Sequence, residues 1–127
     1  MKKFRVLIVE QDKNTRTIFL EYFKNKFPKV EVVCLSNAIE ALKLLDGRSD
    51  FKFVIYDFQM PLISGAQFLD FKTSCPYLLN VPVIISSTDL RDRRKAILKG
   101  ASEIILKPIS LNNFNIVINK ILNLFLE

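Results

Sequence analysis

Apolar residues recur along this chain with two alternating periods. Short runs rich in β-branched side chains fall at Phe4–Val9, Val30–Cys34, Phe51–Tyr56, Val81–Ser86 and Glu103–Leu106. They are largely apolar on consecutive positions, the pattern of strands covered on both faces of a sheet. Between them the spacing turns helical. Ile18, Phe19, Tyr22, Phe23 and Phe27 form one stripe, and Ala38, Ala41, Leu42 and Leu45 a second. The clearest joins Phe114, Val117, Ile118, Ile121, Leu122 and Phe125, with Asn115, Asn119, Lys120 and Asn123 opposite. Asn37 and Ser110 are placed to cap the helices that follow them, and Gly47 and Gly100 to end helices. The order is βαβαβαβαβα. It predicts an α/β fold in which five parallel strands, joined by right-handed crossovers, carry helices on both faces.

Composition narrows the chemistry. The chain has 127 residues, half of them hydrophobic and a quarter charged. That suits one compact domain, in which folding buries roughly 65–70% of the unfolded chain's surface. A single domain spanning 1–127, with no output domain, is the expectation. There is no histidine, which excludes Ser-His and Cys-His catalysis and a histidine-ligated metal. Three scattered glycines cannot build a Gly-rich phosphate loop, and Cys34 and Cys75 can form neither a CxxC pair nor a four-thiolate zinc site. The first apolar run, Val6 to Val9, is too short for a signal peptide or a membrane span. A cytoplasmic protein is expected.

In an open parallel sheet, ligands bind beyond the carboxyl ends of the strands. After the first strand come Glu10, Gln11 and Asp12; after the third, Asp57 to Pro61; after the fourth, Ser87, Thr88 and Asp89; after the fifth, Lys107 and Pro108. The second ends in Leu35-Ser36 and adds no charge, as suits a strand at the sheet's margin. Carboxylates, a hydroxyl and one lysine thus meet at one edge. Such a set suits a divalent cation and a phosphoryl group, because Mg²⁺ prefers carboxylate, water and phosphate oxygens. An acyl phosphate on Asp57 would sit beside that cation, with Lys107 and the Ser87 hydroxyl on its other oxygens. Phosphoryl transfer needs mainly positioning and charge neutralisation.

With these residues in order, the whole chain resembles a receiver domain of the bacterial response-regulator family. The motifs are VLIVEQD, VIYDFQMPLISG, PVIISST and GASEIILKP, each at its proper strand end. The resemblance implies a doubly wound, CheY-like and flavodoxin-like sheet of order 2-1-3-4-5. It implies that Asp57 accepts phosphate from a histidine kinase or a histidine phosphotransfer protein. It further implies Mg²⁺ at Glu10, Gln11, Asp57 and the Gln59 backbone carbonyl, switch roles for Ser87 and Lys107, and an often-cis Lys107–Pro108 bond.

Three positions depart from the family pattern. The acidic pair, usually Asp-Asp or Glu-Asp, reads Glu10-Gln11. An amide oxygen can coordinate but brings no charge, so weaker Mg²⁺ binding is expected; Asp12 could substitute only if the loop shifted by one residue. Ile104 stands where receivers carry a Tyr or Phe that turns inward on activation. Thr88 stands where a small residue is usual, and its bulk could slow entry to the site. A degenerate receiver, acting as an interaction module without phosphotransfer, is the alternative reading.

The net charge is +6. Arg91, Arg93, Arg94, Lys95 and Lys99 crowd the fourth predicted helix, with Asp92 the one acid among them. This face reads as a surface for an acidic partner protein or as a plain solvated face. Direct nucleic-acid binding is not expected, for no recognition helix or aromatic-interleaved strand accompanies the charge. An aspartyl phosphohydrolase would want an acid where Gln59 stands. The expected assembly is a monomer or a weak homodimer, and the protein is expected to be no enzyme beyond its own phosphorylation and dephosphorylation.

Overall fold

The computed structural model describes residues 4–47 and 50–123. Five strands alternate with five helices: β1 Arg5–Val9, α1 Lys13–Lys26, β2 Glu31–Leu35, α2 Ala38–Leu45, β3 Phe51–Asp57, α3 Gly65–Thr73, β4 Val83–Ser87, α4 Asp92–Leu98, β5 Glu103–Leu106 and α5 Leu111–Asn123. A 3-10 turn at Pro76–Leu78 precedes β4. All strand pairs are parallel, in the order β2-β1-β3-β4-β5, which places β2 at the margin as expected. The expected α/β sheet of order 2-1-3-4-5 is the one observed. Phe4, Val30, Val81 and Pro82 lie outside their strands, while β2, β3 and β4 run one residue further, so that Leu35, Asp57 and Ser87 are strand residues. Phe125, the last residue of the terminal stripe, lies outside the described residues.

Successive strand residues point to opposite faces, so one apolar run feeds two cores. Val6 and Ile8 of β1, with Phe53 and Ile55 of β3, pack under α1 and α5. Leu7 and Val9, with Val54 and Tyr56, pack under α2, α3 and α4. The α1/α5 layer is aromatic. Phe114 is fully buried, with ring centroids 4.7 Å from Tyr22, 5.0 Å from Phe19 and 6.1 Å from Phe23. By contrast α4 has seven residues and buries only Ala96.

Helix ends follow the capping chemistry read from sequence. Asn37 Oδ1 accepts from the amides of Ile39 and Glu40, and Ser110 Oγ from that of Asn113. Gly47 and Gly100 adopt φ of 68° and 103°, the left-handed region that favours glycine at a helix stop. Arg91 and Lys99 flank α4 rather than lie within it.

Candidate functional site

The register of the sheet decides which side chains meet. Asp57 is the last residue of β3 and pairs with Ser86, and Ser87 pairs with Leu106, one residue before Lys107. Glu10 directly follows β1, and its amide bonds Leu35 O at 3.0 Å. These strand ends place Glu10, Asp57 and Lys107 in one buried cluster. Both carboxylate residues are fully buried, and the lysine side chain is 10% exposed. Lys107 Nζ lies 3.2 Å from Asp57 Oδ1 and donates to both oxygens of Glu10, also at 3.2 Å. The Lys107–Pro108 bond is cis.

Glu10 is held from three sides. Besides Lys107, its Oε1 accepts from Ser86 Oγ at 3.2 Å and its Oε2 from the Asp12 amide at 3.1 Å. Burial pushes its pKa up. The Asp12 amide and Lys107 act against that rise, while the Asp57 charge adds to it. Asp57 Oδ1 accepts from the Gln59 amide at 3.0 Å as well as facing Lys107. Asp57 Oδ2 is buried without a hydrogen-bond partner. An anionic oxygen left so inside a protein is costly unless a cation or a bond-forming partner comes to it. It is the one carboxylate oxygen of the cluster placed to take either.

Gln11 turns its amide to the same spot: Nε2 donates to Gln59 O at 3.0 Å. The backbone carbonyl expected to face a cation therefore accepts from an amide nitrogen. Asp12 does not stand in for the missing acid. Its Oδ2 caps α1, accepting from the Thr15 amide at 2.9 Å and the Thr15 hydroxyl at 2.8 Å, and these bonds lower its pKa. The donor set for a metal ion is thus Asp57, the Gln59 carbonyl and Gln11, with Glu10 behind. Among the described residues no group of three His, Cys, Asp or Glu side chains could hold a metal ion. The oxygens fit a hard dication, and the orphaned Asp57 Oδ2 leaves an open valence for it, but with one charge fewer than an acidic pair would supply.

The loop after β3 is pinned from beneath. Tyr56 stacks on Phe68 with centroids 4.3 Å apart, and its hydroxyl donates to Ile63 O at 2.7 Å. Gly65 begins α3 against Phe58, where an added Cβ would lie 2.7 Å from the Phe58 Cα. Only glycine lets the helix start this close to the loop that carries Gln59.

The other expected positions divide. Ser87 is fully buried, and its hydroxyl faces Asp92, not Asp57. Thr88 is exposed and lines an open cleft of about 530 Å³ with Gln11, Asp12, Thr15, Lys107 and Pro108. Ile104 is buried in the layer of α2, α3 and α4. Arg93, Arg94 and Lys95 are exposed on α4. Arg91, just before α4, is exposed as well and binds Asp89 through Nε and Nη2, and Lys99 binds Asp70 at 3.0 Å.

Two residues support the site in roles that sequence reasoning did not give them. Arg16 Nη1 donates to Glu10 O at 2.8 Å and to Gln11 O at 2.9 Å, fixing the loop from one helical turn away. Ser86 holds Glu10 from the neighbouring strand. For Ser86 the signal was a hydroxyl inside an apolar run; Arg16 gave none.

A family model described as the response regulator receiver domain matches residues 6–119. The two-component response regulator ORR13 of Oryza sativa subsp. japonica is 33% identical over 94 residues, covering 72% of this chain and 78% of that protein. The signal receiver domain of a DNA-binding response regulator from Colwellia psychrerythraea 34H superposes with a TM-score of 0.85 at 23% identity, covering 94% of this chain and 98% of that one. The receiver domain of a Pseudomonas aeruginosa PAO1 sensor histidine kinase, with a magnesium ion coordinated in its active-site cleft, superposes with a TM-score of 0.79. It is 15% identical and covers 94% of this chain and 97% of that one.

Proposed function

Because the chain belongs to the response-regulator receiver domain family, we propose that Asp57 is its phosphoacceptor and that the phosphoryl state is relayed by protein contact. Receiver domains are signalling modules of two-component systems. They interact with histidine kinases or phosphotransfer proteins and bind Mg²⁺ in the active site. The observation that carries the proposal is Asp57 Oδ2, buried at the strand-end cluster and without a hydrogen-bond partner.

In this reading Oδ2 attacks the phosphorus of a phosphohistidine in line. The O–P bond forms, the N–P bond breaks, and the departing imidazole takes up a proton. Lys107, already 3.2 Å from Oδ1, neutralises charge on the transferred group. Glu10 keeps Lys107 in place through two bonds. Asp57, the Gln59 carbonyl and Gln11 would hold Mg²⁺, which supplies charge neutralisation at the phosphoryl oxygens. The Gln11 amide must turn to present its oxygen, so binding is weak. Arg93, Arg94 and Lys95 form a surface for an acidic partner protein rather than for nucleic acid. The domain acts as a monomer or weak homodimer in the cytoplasm; among the described residues no helix is long and apolar enough to cross a membrane.

The test is incubation with Mg²⁺ and acetyl phosphate, read as a phosphate mass gain. Gain in the wild type, loss of it in Asp57→Asn, and a lower Mg²⁺ requirement in Gln11→Asp are the expected results. No gain in either the wild type or Gln11→Asp at millimolar Mg²⁺ would overturn the proposal. It would favour the second reading, an interaction module without phosphotransfer, for which the Gln11–Gln59 bond across the metal position is the supporting observation.

A further inference from the structure

Ser87 sits at the end of β4 with its hydroxyl fully engaged. Oγ donates to Asp92 Oδ2 at 2.7 Å, with the Asp89 carbonyl a more distant acceptor at 3.3 Å, and accepts from Gln59 Nε2 at 2.9 Å and from the Asp89 amide at 3.0 Å. Gln59 Nε2 also donates to Asp92 Oδ2 at 2.9 Å. Three side chains, from the loop after β3, the end of β4 and the first residue of α4, therefore close a ring. Just ahead of the helix Asp89 Oδ1 accepts from the Arg91 amide at 2.9 Å. The Arg91 side chain at the N-cap makes no capping bond, and Asp92 is the helix residue that ties this end to β4. Along its length it buries only Ala96.

A serine hydroxyl has a single proton to donate. Given to Asp92, it is withheld from any oxygen on Asp57. We propose that Asp92 is a positioning residue that competes with the Asp57 phosphoryl group for the Ser87 proton, so that phosphoryl binding releases the first turn of α4. The inference rests on the phosphoacceptor reading above and extends it. When Ser87 turns to a phosphoryl oxygen, Asp92 Oδ2 keeps only Gln59 Nε2 and faces the lone pairs of Ser87 Oγ. The carboxylate then moves away, and the start of α4, with Arg93, Arg94 and Lys95, moves with it. No aromatic ring is needed. Ile104, at the position where a ring would turn, is buried and apolar, and the message passes instead through one hydrogen bond into the basic helix.

The test is a beryllofluoride titration with Mg²⁺, followed in amide NMR spectra of the wild type, Asp92→Ala, Asp92→Asn, Ser87→Ala and the Ser87→Ala/Asp92→Ala pair. Removing a competing charge-assisted bond should tighten beryllofluoride binding about tenfold in Asp92→Ala. Asp92→Asn, whose amide oxygen still accepts the proton, should gain only a few-fold. The ligand-free Asp92→Ala spectrum should already resemble the bound wild type over residues 92–98. In the Ser87→Ala background Asp92→Ala should change nothing, because the effect acts through Ser87; a simple loss of negative charge would persist there. Equal affinity for wild type and Asp92→Ala, or an Asp92 effect undiminished in Ser87→Ala, overturns the inference and leaves Asp57 as acceptor intact. If neither the wild type nor Gln11→Asp takes up beryllofluoride, the acceptor reading falls and this inference with it.

Discussion

The sheet carries two unlike layers. Beneath α1 and α5 lies an aromatic core in which Phe19, Tyr22, Phe23, Phe53 and Phe114 are all buried. On the other side α4 buries a single alanine, and it leaves Leu98 76% exposed, with Leu90 just before it 62% exposed. One layer is fixed by apolar packing, which is insensitive to a change of charge a few ångströms away. The other has an apolar core of its own under α2 and α3, but its α4 is fastened at its start by polar bonds that a new anion can exchange. Function that depends on movement belongs where few apolar contacts must break.

Breaking the rigid layer should have the largest effect. Phe114→Ala removes a fully buried ring and should cost about 4 kcal/mol in urea unfolding. A loss below about 2 kcal/mol would mean that α1 and α5 collapse onto the cavity, and the contrast between layers would be weaker than stated. Next comes Gly65→Ala, at the start of α3. Its Cβ would lie 2.7 Å from the Phe58 backbone, so the loop must shift at a cost of about 2 kcal/mol. Amide shifts over Asp57–Met60 should report it; an unmoved loop would show the approach to be less tight.

Tyr22 tests the rigid layer through pH. Burial pushes its phenol from the ordinary value of 10.0 up to about 12. The folded protein thus holds the proton more tightly than the unfolded chain. Its stabilising contribution is complete below pH 10 and is lost as pH climbs from there through about 12. Tyr22→Phe should cost about 1 kcal/mol at neutral pH through the bond to Asn115. It should also flatten the alkaline loss of stability, and an unchanged alkaline slope would count against the assignment. Leu98→Ser should do least, staying within about 0.5 kcal/mol. A larger loss would show that α4 is packed more firmly than its exposure implies.

The architecture was legible because each strand and helix announced itself locally. Continuous β-branched runs, 3.6-residue stripes, and Asn37, Ser110, Gly47 and Gly100 at helix ends all agree with the observed elements. Strand-end chemistry was legible for a topological reason: parallel strands bring their carboxyl ends to one edge, so Glu10, Asp57 and Lys107 had to meet. What sequence did not show was the direction of side chains within that edge. Gln11 read as a neutral ligand, yet its nitrogen faces Gln59 O. Ser87 read as a phosphate-sensing hydroxyl, yet its proton goes to Asp92. Asp92 read as a lone acid in a basic helix. Each depends on a rotamer chosen among long-range partners, which no local pattern encodes.

Gln11 has a consequence for rate as well as affinity. The acids in the buried cluster, Glu10 and Asp57, face one lysine, and no third carboxylate joins them among the described residues. The chain as a whole carries a charge of +6. In the proposed function an anionic phosphodonor would approach through a field attractive at long range, opposed at the mouth of the cleft by Asp12 but not by a second acid at position 11. Encounter should be steered, and the steering should fade as added salt shortens the screening length to about 8 Å or less. In the proposed function, the glutamine that would weaken the grip on a cation would also lower the electrostatic gate against the anion that the cation helps to bind.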